Sequence, residues 1–416
     1  MVDFSRSNVL VVGAGPAGLA AASFLERAQI DYDLVDSQKH VGGVFSLTTT
    51  GSAWPEMELT SSKALTEFDE LRMPVSFPTF PTAQQYGTYL RAFAAHTGAD
   101  AHFHPRTEVR MARSFGEGNW EVSFSTGEVR TYGAIIAAHG TSSQPHLPAE
   151  LVADLEDAGV PFIHASQYRG AAHTQAENVL VIGSDQAAAD IAADLADADR
   201  SVQLLWEEGR WIVPRSLGHL PADAIAQLEP SFLGRLNETI ARGAARRTIG
   251  SAEAVGLPRP SAPLLDSEPV VSDRLIRDLE QHRIRLVRDR RHLPLDAFDL
   301  VILATGYETG APYLAPELAQ DLFLGAFPRS RRDLVVLGQL RVAGSLVPVL
   351  EDQAELAALY LRAQRSDPAA AEAFDRLRAQ TITVSGDARQ VPFMHREQLL
   401  RELDRARAVF SPSARR

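Results

Sequence analysis

The stretch "NVLVVGAGPAGLAAASFLERAQIDYDLVD", Asn8 to Asp36, decides how the rest of the chain is read. Its apolar run, Val9 to Val12, has the length and composition of a strand buried on both faces. Gly13, Gly15 and Gly18 follow at G-x-G-x-x-G spacing. In such a loop the first glycine permits a tight turn. The second lets the backbone approach a pyrophosphate, and the third lets the helix pack closely on the strand. The helix N-terminus adds amide donors and a dipole that favours the anion. A second apolar run ends at Asp36, placed to accept hydrogen bonds from ribose hydroxyls. Strand, loop, helix, strand and acid in this order predict a dinucleotide site. Pro16 and the nearby "VGGVF", Val41 to Phe45, favour FAD over NAD there.

The same logic recurs in "VLVIGSDQAAADIAADLA", Val179 to Ala196, with two changes: Asp185 stands at the place of the second glycine and Ala188 at that of the third. Two further apolar runs also pair up, "GAIIAAHG" (Gly133 to Gly140) and "DLVILATGY" (Asp299 to Tyr307), each ending in A-x-G. The expected fold is α/β, with two nested Rossmann-type dinucleotide-binding domains. The FAD-binding domain is discontinuous, residues 1–148 and 295–385. The insert, 149–294, is a nicotinamide-type domain with a substrate-side insertion at about 214–260. Residues 386–416 read as a C-terminal helix and tail. "SSQPHLP" and "RRHLPLD" are the expected crossing points.

Composition bounds the function. A chain of 416 residues suits two cores better than one. The net charge of −12 disfavours nucleic acid as a partner. No apolar run approaches the roughly 18 residues of a membrane span, and the first apolar run reads as a strand rather than a leader. The chain has no cysteine, which excludes disulfides, thiolate metal sites and a redox dithiol. The expectation is a cytoplasmic protein acting on a small molecule, with no membrane partner and no metal. Self-association is left open.

Further segments carry a specific resemblance. "WPEMELTSSKALTEFDELRMPVSFPTFPTAQQYGTYLRAF" (Trp54 to Phe93), "HASQYR" (His164 to Arg169), "LATGY" and "VPVLEDQAELAALYL" (Val347 to Leu361) resemble motifs of the flavin-containing monooxygenases, class B flavoprotein monooxygenases. The likeness runs from about residue 7 to about residue 365. It implies FAD held by Gly13, Gly15, Pro16, Ala17, Gly18 and Asp36 of the first loop. It adds Gly43, Val44, Phe45, Ser61, Val109, Ala138, Gly306 and Gln353. It implies a nicotinamide site at Gly183, Asp185, Gln186, Ala187 and Glu207. The implied reaction uses O2: a C4a-hydroperoxyflavin passes one oxygen atom to a small nucleophilic nitrogen or sulfur. Tyr168 stands where Baeyer–Villiger enzymes end this fingerprint in tryptophan, which favours N- or S-oxygenation.

The departures from the family pattern matter as much. The fingerprint's leading Phe and Gly are Ala158 and Val160. The family's flavin-pocket asparagine becomes Thr60, whose hydroxyl cannot reproduce an amide's paired donor and acceptor. Glu207, followed by Glu208, replaces the arginine that holds the 2′-phosphate of NADPH. Like charges about 4 Å apart repel by roughly 4 kcal/mol at an effective dielectric of 20. NADPH is therefore disfavoured and NADH remains compatible, with Arg200, Arg210 and Arg215 as candidate compensating charges. A purely structural second loop is the alternative. Two other functions stay open: an oxidase or dehydrogenase whose own substrate reduces FAD, and a non-catalytic flavin-binding protein.

Several single residues complete the reading. Thr60 and His139 are the candidate catalytic residues, His139 because it ends a strand at the ligand edge. His164 matches a family histidine that is mostly a structural hinge. Lys63 reads as solvated, and Trp206 and Trp211 as packing residues. Thr82 and Gln85 form the signature of a capping box ahead of a helix.

Overall fold

The computed structural model describes residues 9–47, 53–223, 232–308, 310–380 and 392–411. Two five-stranded parallel sheets organise them. In the first, Val9–Val12 lies between Tyr32–Val35 and Ala134–Ala137, with Phe103–His104 and Leu334–Val336 at the edges. Alternation assigns each residue of the central strand to a layer. Val9 and Val11 face the helices Pro16–Ala28 and Val347–Ser366. Leu10 and Val12 face an antiparallel meander of Val109–Ser114, Trp120–Phe124 and Val129–Tyr132.

The second sheet runs Ile284–Val287, Ser201–Leu205, Asn178–Ile182, Leu300–Leu303, Phe162–His164. Val179 and Val181 face the helix Gln186–Asp197, and Leu180 and Ile182 face the side of helix Ala149–Ala158. Both sheets are thus covered on both faces, as the unbroken apolar strands require.

One expected boundary moves. The sequence places the return to the first unit at about residue 295, ahead of "DLVILATGY". Instead Leu300–Leu303 pairs with Val179–Ile182 and with Phe162–His164, inside the second sheet. The strand that completes the first sheet is Leu334–Val336. The likeness between the two A-x-G runs has a plain cause. Ala134–Ala137 flanks the loop strand of its own sheet just as Leu300–Leu303 flanks the loop strand of the other.

The glycines of the first loop are fixed by close contacts. A Cβ on Gly13 would lie 2.3 Å from the Ala138 carbonyl oxygen, and one on Gly18 only 1.7 Å from the Gly13 carbonyl oxygen. Gly183 meets the Ala304 carbonyl oxygen at 2.3 Å in the same way. We expect Gly18→Ala to cost about 3 kcal/mol, because backbone must move to admit the methyl. Ala188→Gly, at the matching place in the second helix, should cost only about 1 kcal/mol of helix propensity. Thermal melts of the two variants check this; equal losses would contradict it.

The helix Ala83–Thr97 carries the expected capping box of Thr82 and Gln85, and Tyr86, Leu90 and Phe93 are buried on its inner face. The insertion at 214–260 contains a short hairpin, Ser216–Leu217 with Leu220–Pro221, and the helix Phe232–Ile249; 224–231 fall outside the described residues. Of the segment read as C-terminal helix and tail, 386–391 and 412–416 fall outside them too. Helix Arg396–Ala408 buries Leu399, Leu403 and Ala406 in the first core. Residues 392–395 ahead of it are tied to the rest of the structure. The Arg341 amide donates to the Pro392 carbonyl and the Met394 amide to the Arg341 carbonyl, both at 2.8 Å. His395 Nε2 lies 3.2 Å from an Asp266 carboxylate oxygen.

Candidate functional site

The first loop leaves its helix open. Gly15 occupies the N-cap of Pro16–Ala28 and offers no side chain, Pro16 has no N–H, and the first turn holds no acid. Asp36 ends the neighbouring strand. Its carboxylate accepts from the Ala14 amide at 2.7 Å and the Gln38 amide at 2.8 Å. Burial pushes its pKa up, and the two amides oppose that. The second glycine pair closes on the loop: the Gly42 amide donates to the Ala14 carbonyl at 2.8 Å, and a Cβ on Gly43 would lie 2.9 Å from the Gly15 Cα.

A cleft of about 1510 Å³ opens between the two units. Val44, Phe45, Thr60 and Ser61 line it from one side, and Gly183, Asp185, Gln186, Ala187, Glu207 and Gly306 from the other. These predicted residues are brought together. Gly13, Gly15, Pro16, Ala17, Gly18, Asp36, Gly43 and Ala138 form or adjoin the first loop and do not line the cleft. Gly306 belongs to the second sheet's side, since it follows Leu300–Leu303 and its carbonyl accepts from His164 Nε2 at 3.0 Å.

Three predicted residues point elsewhere. The Val109 side chain packs in the core beneath the meander. Gln353 is wholly buried and its Nε2 donates to the Leu324 carbonyl at 2.8 Å. His139 does not line the cleft. Its Nδ1 lies 3.1 Å from the Tyr313 hydroxyl and its Nε2 3.3 Å from Gln339 Nε2. Burial pulls its pKa down to about 4, so the ring is neutral near pH 7. The half-buried ring links Tyr313 and Gln339 behind the cleft lining.

Motif reading missed several cleft residues. Trp54, Met57, Asp190, Thr305, Glu268 and Arg341 line it too, on helices and loops with no spacing signature. Ser184 was findable, because it follows the first glycine of the second loop.

The second loop differs from the first in what covers its amides. Asp185 is the N-cap of Gln186–Asp197, and its Oδ1 accepts from the Ala188 amide at 3.2 Å. Burial raises its pKa, while the Ala188 amide, Arg210 and Arg341 oppose the rise. Asp190, one turn on, is pushed up to about 6 by burial. Gln186 is clamped to the short strand Val270–Val271: its Oε1 accepts from the Val271 amide at 2.8 Å and its Nε2 donates to the Val271 carbonyl at 2.9 Å. Ser184 Oγ accepts from the amides of Glu207, at 2.9 Å, and Glu208, at 3.1 Å. By register, Trp206 rather than Glu207 stands where Asp36 stands in the first unit. Trp206 is fully buried.

The candidate compensating cations are already engaged. Arg210 reaches a Glu208 oxygen at 2.8 Å. Arg215 is 3.7 Å from carboxylate oxygens of Glu58 and Asp273 and does not line the cleft. Arg200 pairs with Glu177. Lys63, expected to be solvated, donates to the Phe77 carbonyl at 3.0 Å and so closes a loop. Trp211 packs as expected, under the guanidinium of Arg242 at 4.1 Å. His164 is buried and fixed on both nitrogens, with Nδ1 accepting from the Ser166 amide at 3.1 Å. Burial lowers its pKa.

Residues 10–254 match the family model described as pyridine nucleotide-disulphide oxidoreductase. Flavin-containing monooxygenase 5 of Oryctolagus cuniculus is 23% identical over 401 residues, 88% of this chain and 75% of that protein. Indole-3-pyruvate monooxygenase YUCCA1 of Oryza sativa subsp. japonica is 24% identical over 333 residues, 76% of this chain and 80% of that protein. The fold is shared with the flavin-containing monooxygenase from Stenotrophomonas maltophilia, at a TM-score of 0.61 and 19% identity over 86% of this chain and 98% of that one. It is shared also with an ε-caprolactone-bound cyclohexanone monooxygenase, at 0.71 and 16% over 98% of each.

Proposed function

Because the chain belongs to the pyridine nucleotide-disulphide oxidoreductase family and is a class B flavin monooxygenase-like oxidoreductase, we propose that it binds FAD on its first unit and uses O2 to oxygenate a small nucleophilic nitrogen or sulfur compound. The disulphide chemistry of the family name has no place here, since the chain has no cysteine. The observation that carries the reading is the open helix N-terminus at Gly15, against which the Gly42–Gly43 turn closes just ahead of the cleft residues Val44 and Phe45.

The residues present fit the flavin dinucleotide. Gly13, Gly15, Pro16, Ala17 and Gly18 would seat its pyrophosphate at the uncovered amides. Asp36 would take ribose hydroxyls, and Val44, Phe45, Thr60 and Ser61 would border the ring system. When bound, the flavin supplies the redox and oxygen chemistry. The chain supplies orientation and dryness. Phe45, Trp54, Met57 and Leu346 give the cleft an apolar wall that excludes water from the reacting atoms. The Thr60 hydroxyl offers one hydrogen bond where the family's amide offers two groups. No helix among the described residues is long and apolar enough to cross a membrane.

Acceptance of an amine or a thioether is tested with isotope. Purified protein, its flavin reduced by light, is mixed with 18O2 and a panel of amines and thioethers. One 18O atom is expected in the product. Stoichiometric peroxide with no labelled product favours the second reading, an oxidase or dehydrogenase reduced by its own substrate. The covered amides of the second loop are what keep that reading alive, because such an enzyme needs no nicotinamide cofactor.

A further inference from the structure

The two loops share a strand–turn–helix frame, and the difference between them is one of occupancy. In the first, no side chain covers the helix N-terminus. In the second, groups at the same place are matched within the chain. The Ala188 amide has the Asp185 carboxylate. The strand-end amides of Glu207 and Glu208 have the Ser184 hydroxyl. The Gln186 amide group is joined at both ends to Val271. Helix approach differs as well: Gly18 lets the first helix close to within contact of the turn, whereas Ala188 interposes a methyl.

We infer that the second loop is closed to NAD(P)H by the chain's own groups, with the Asp185 carboxylate standing in for the pyrophosphate at the helix N-terminus. The residues present do not fit the nicotinamide cofactor that the family implies. This rests on the reading of the chain as a flavoprotein and goes beyond the repulsion of NADPH by acids. Repulsion penalises the 2′-phosphate most, whereas an occupied helix terminus excludes NAD, NADP and ADP-ribose alike. A ligand pyrophosphate must first displace a charge-assisted cap, and the displaced carboxylate then faces the phosphate.

Calorimetric titration of the flavin-loaded protein with NAD+, NADP+ and ADP-ribose tests this without reference to activity. The unmodified protein is expected to bind none of the three more tightly than about 1 mM. Asp185→Gly should bind ADP-ribose at least tenfold more tightly. This variant keeps its helix, because glycine at an N-cap costs only a few tenths of a kcal/mol relative to aspartate. Asp185→Asn keeps the cap and loses the charge, and should stay closed. Binding by Asp185→Asn equal to that of Asp185→Gly overturns the inference, since charge alone would then suffice. So does micromolar ADP-ribose binding by the unmodified protein, or no gain in a flavin-loaded, folded Asp185→Gly. A preparation that carries no flavin strikes the flavoprotein reading instead, and the visible spectrum tells the two failures apart.

Discussion

Gly15→Leu is expected to purify without flavin, its visible absorbance at least tenfold below that of the unmodified protein. The fold itself should survive. Gly15 has an ordinary negative φ of −78°, and a Cβ there would meet the Gly43 Cα at 3.5 Å and the Gly43 nitrogen at 3.9 Å, both normal contacts. Because Gly15 is the N-cap, the rest of a leucine side chain would stand beside Gly43 at the helix N-terminus. That is the space the pyrophosphate is proposed to fill. Gly15→Ala is the graded control and should lose part of the flavin only. Far-UV circular dichroism separates loss of cofactor from loss of structure. A folded Gly15→Leu with full flavin would move the binding site elsewhere.

The second large effect concerns the electron donor. The unmodified flavoprotein should be reduced slowly by NADPH, with weak saturation, and by NADH at least as well. In the double variant Asp185→Gly with Glu207→Arg, we expect anaerobic stopped-flow reduction by NADPH to quicken by about ten- to a hundredfold at fixed concentration, and reduction by NADH to gain less. Opening the cap helps both nucleotides, and the new arginine helps only the one with a 2′-phosphate. Removing one like-charge contact near 4 Å is worth up to about 4 kcal/mol at an effective dielectric of 20, so solvent screening at exposed Glu207 explains the smaller figure. If the unmodified protein already saturates with micromolar NADPH, the argument from these acids fails. Arg210, a cation on the cleft wall, would then have to leave Glu208 to hold the phosphate.

Much of the fold was legible because its rules are local. A buried parallel strand is a short apolar run. The turn after it tolerates only glycine, as the 2.3 Å approaches at Gly13 and Gly183 demand. The acid at Asp36 is one strand away. What could not be read was partner choice. Nothing in "DLVILATGY" says which sheet it joins, because that depends on a register with Val179–Ile182 far upstream. The His139 ring likewise takes its direction from Tyr313, distant in sequence. Asp185 is a different case: an aspartate immediately before a helix is an N-cap signature. The cap at Asp185 is thus as legible in the sequence as its charge. Likeness to the family's strand puts Glu207 at the arginine's place, whereas pairing ends at Leu205 and leaves Trp206 at the position that matches Asp36.

The late arrival of Leu334–Val336 sets an order of assembly. All five strands of the second sheet lie between Phe162 and Leu303, so that sheet is complete on a ribosome before the edge of the first has been made. The first sheet must wait to join Val336 to Ala137 across about 200 positions. Closing so long a connection costs little more free energy than closing half of it, because the entropy grows only as the logarithm of length. Its penalty is in time, since distant pairings slow folding. A prefolded insert shortens the search by tethering the two ends: Ile163 and Ile302 already lie side by side in adjacent strands of the second sheet. The nested unit thus serves the outer one as a built-in clasp during synthesis, whatever its loop does or does not bind afterwards.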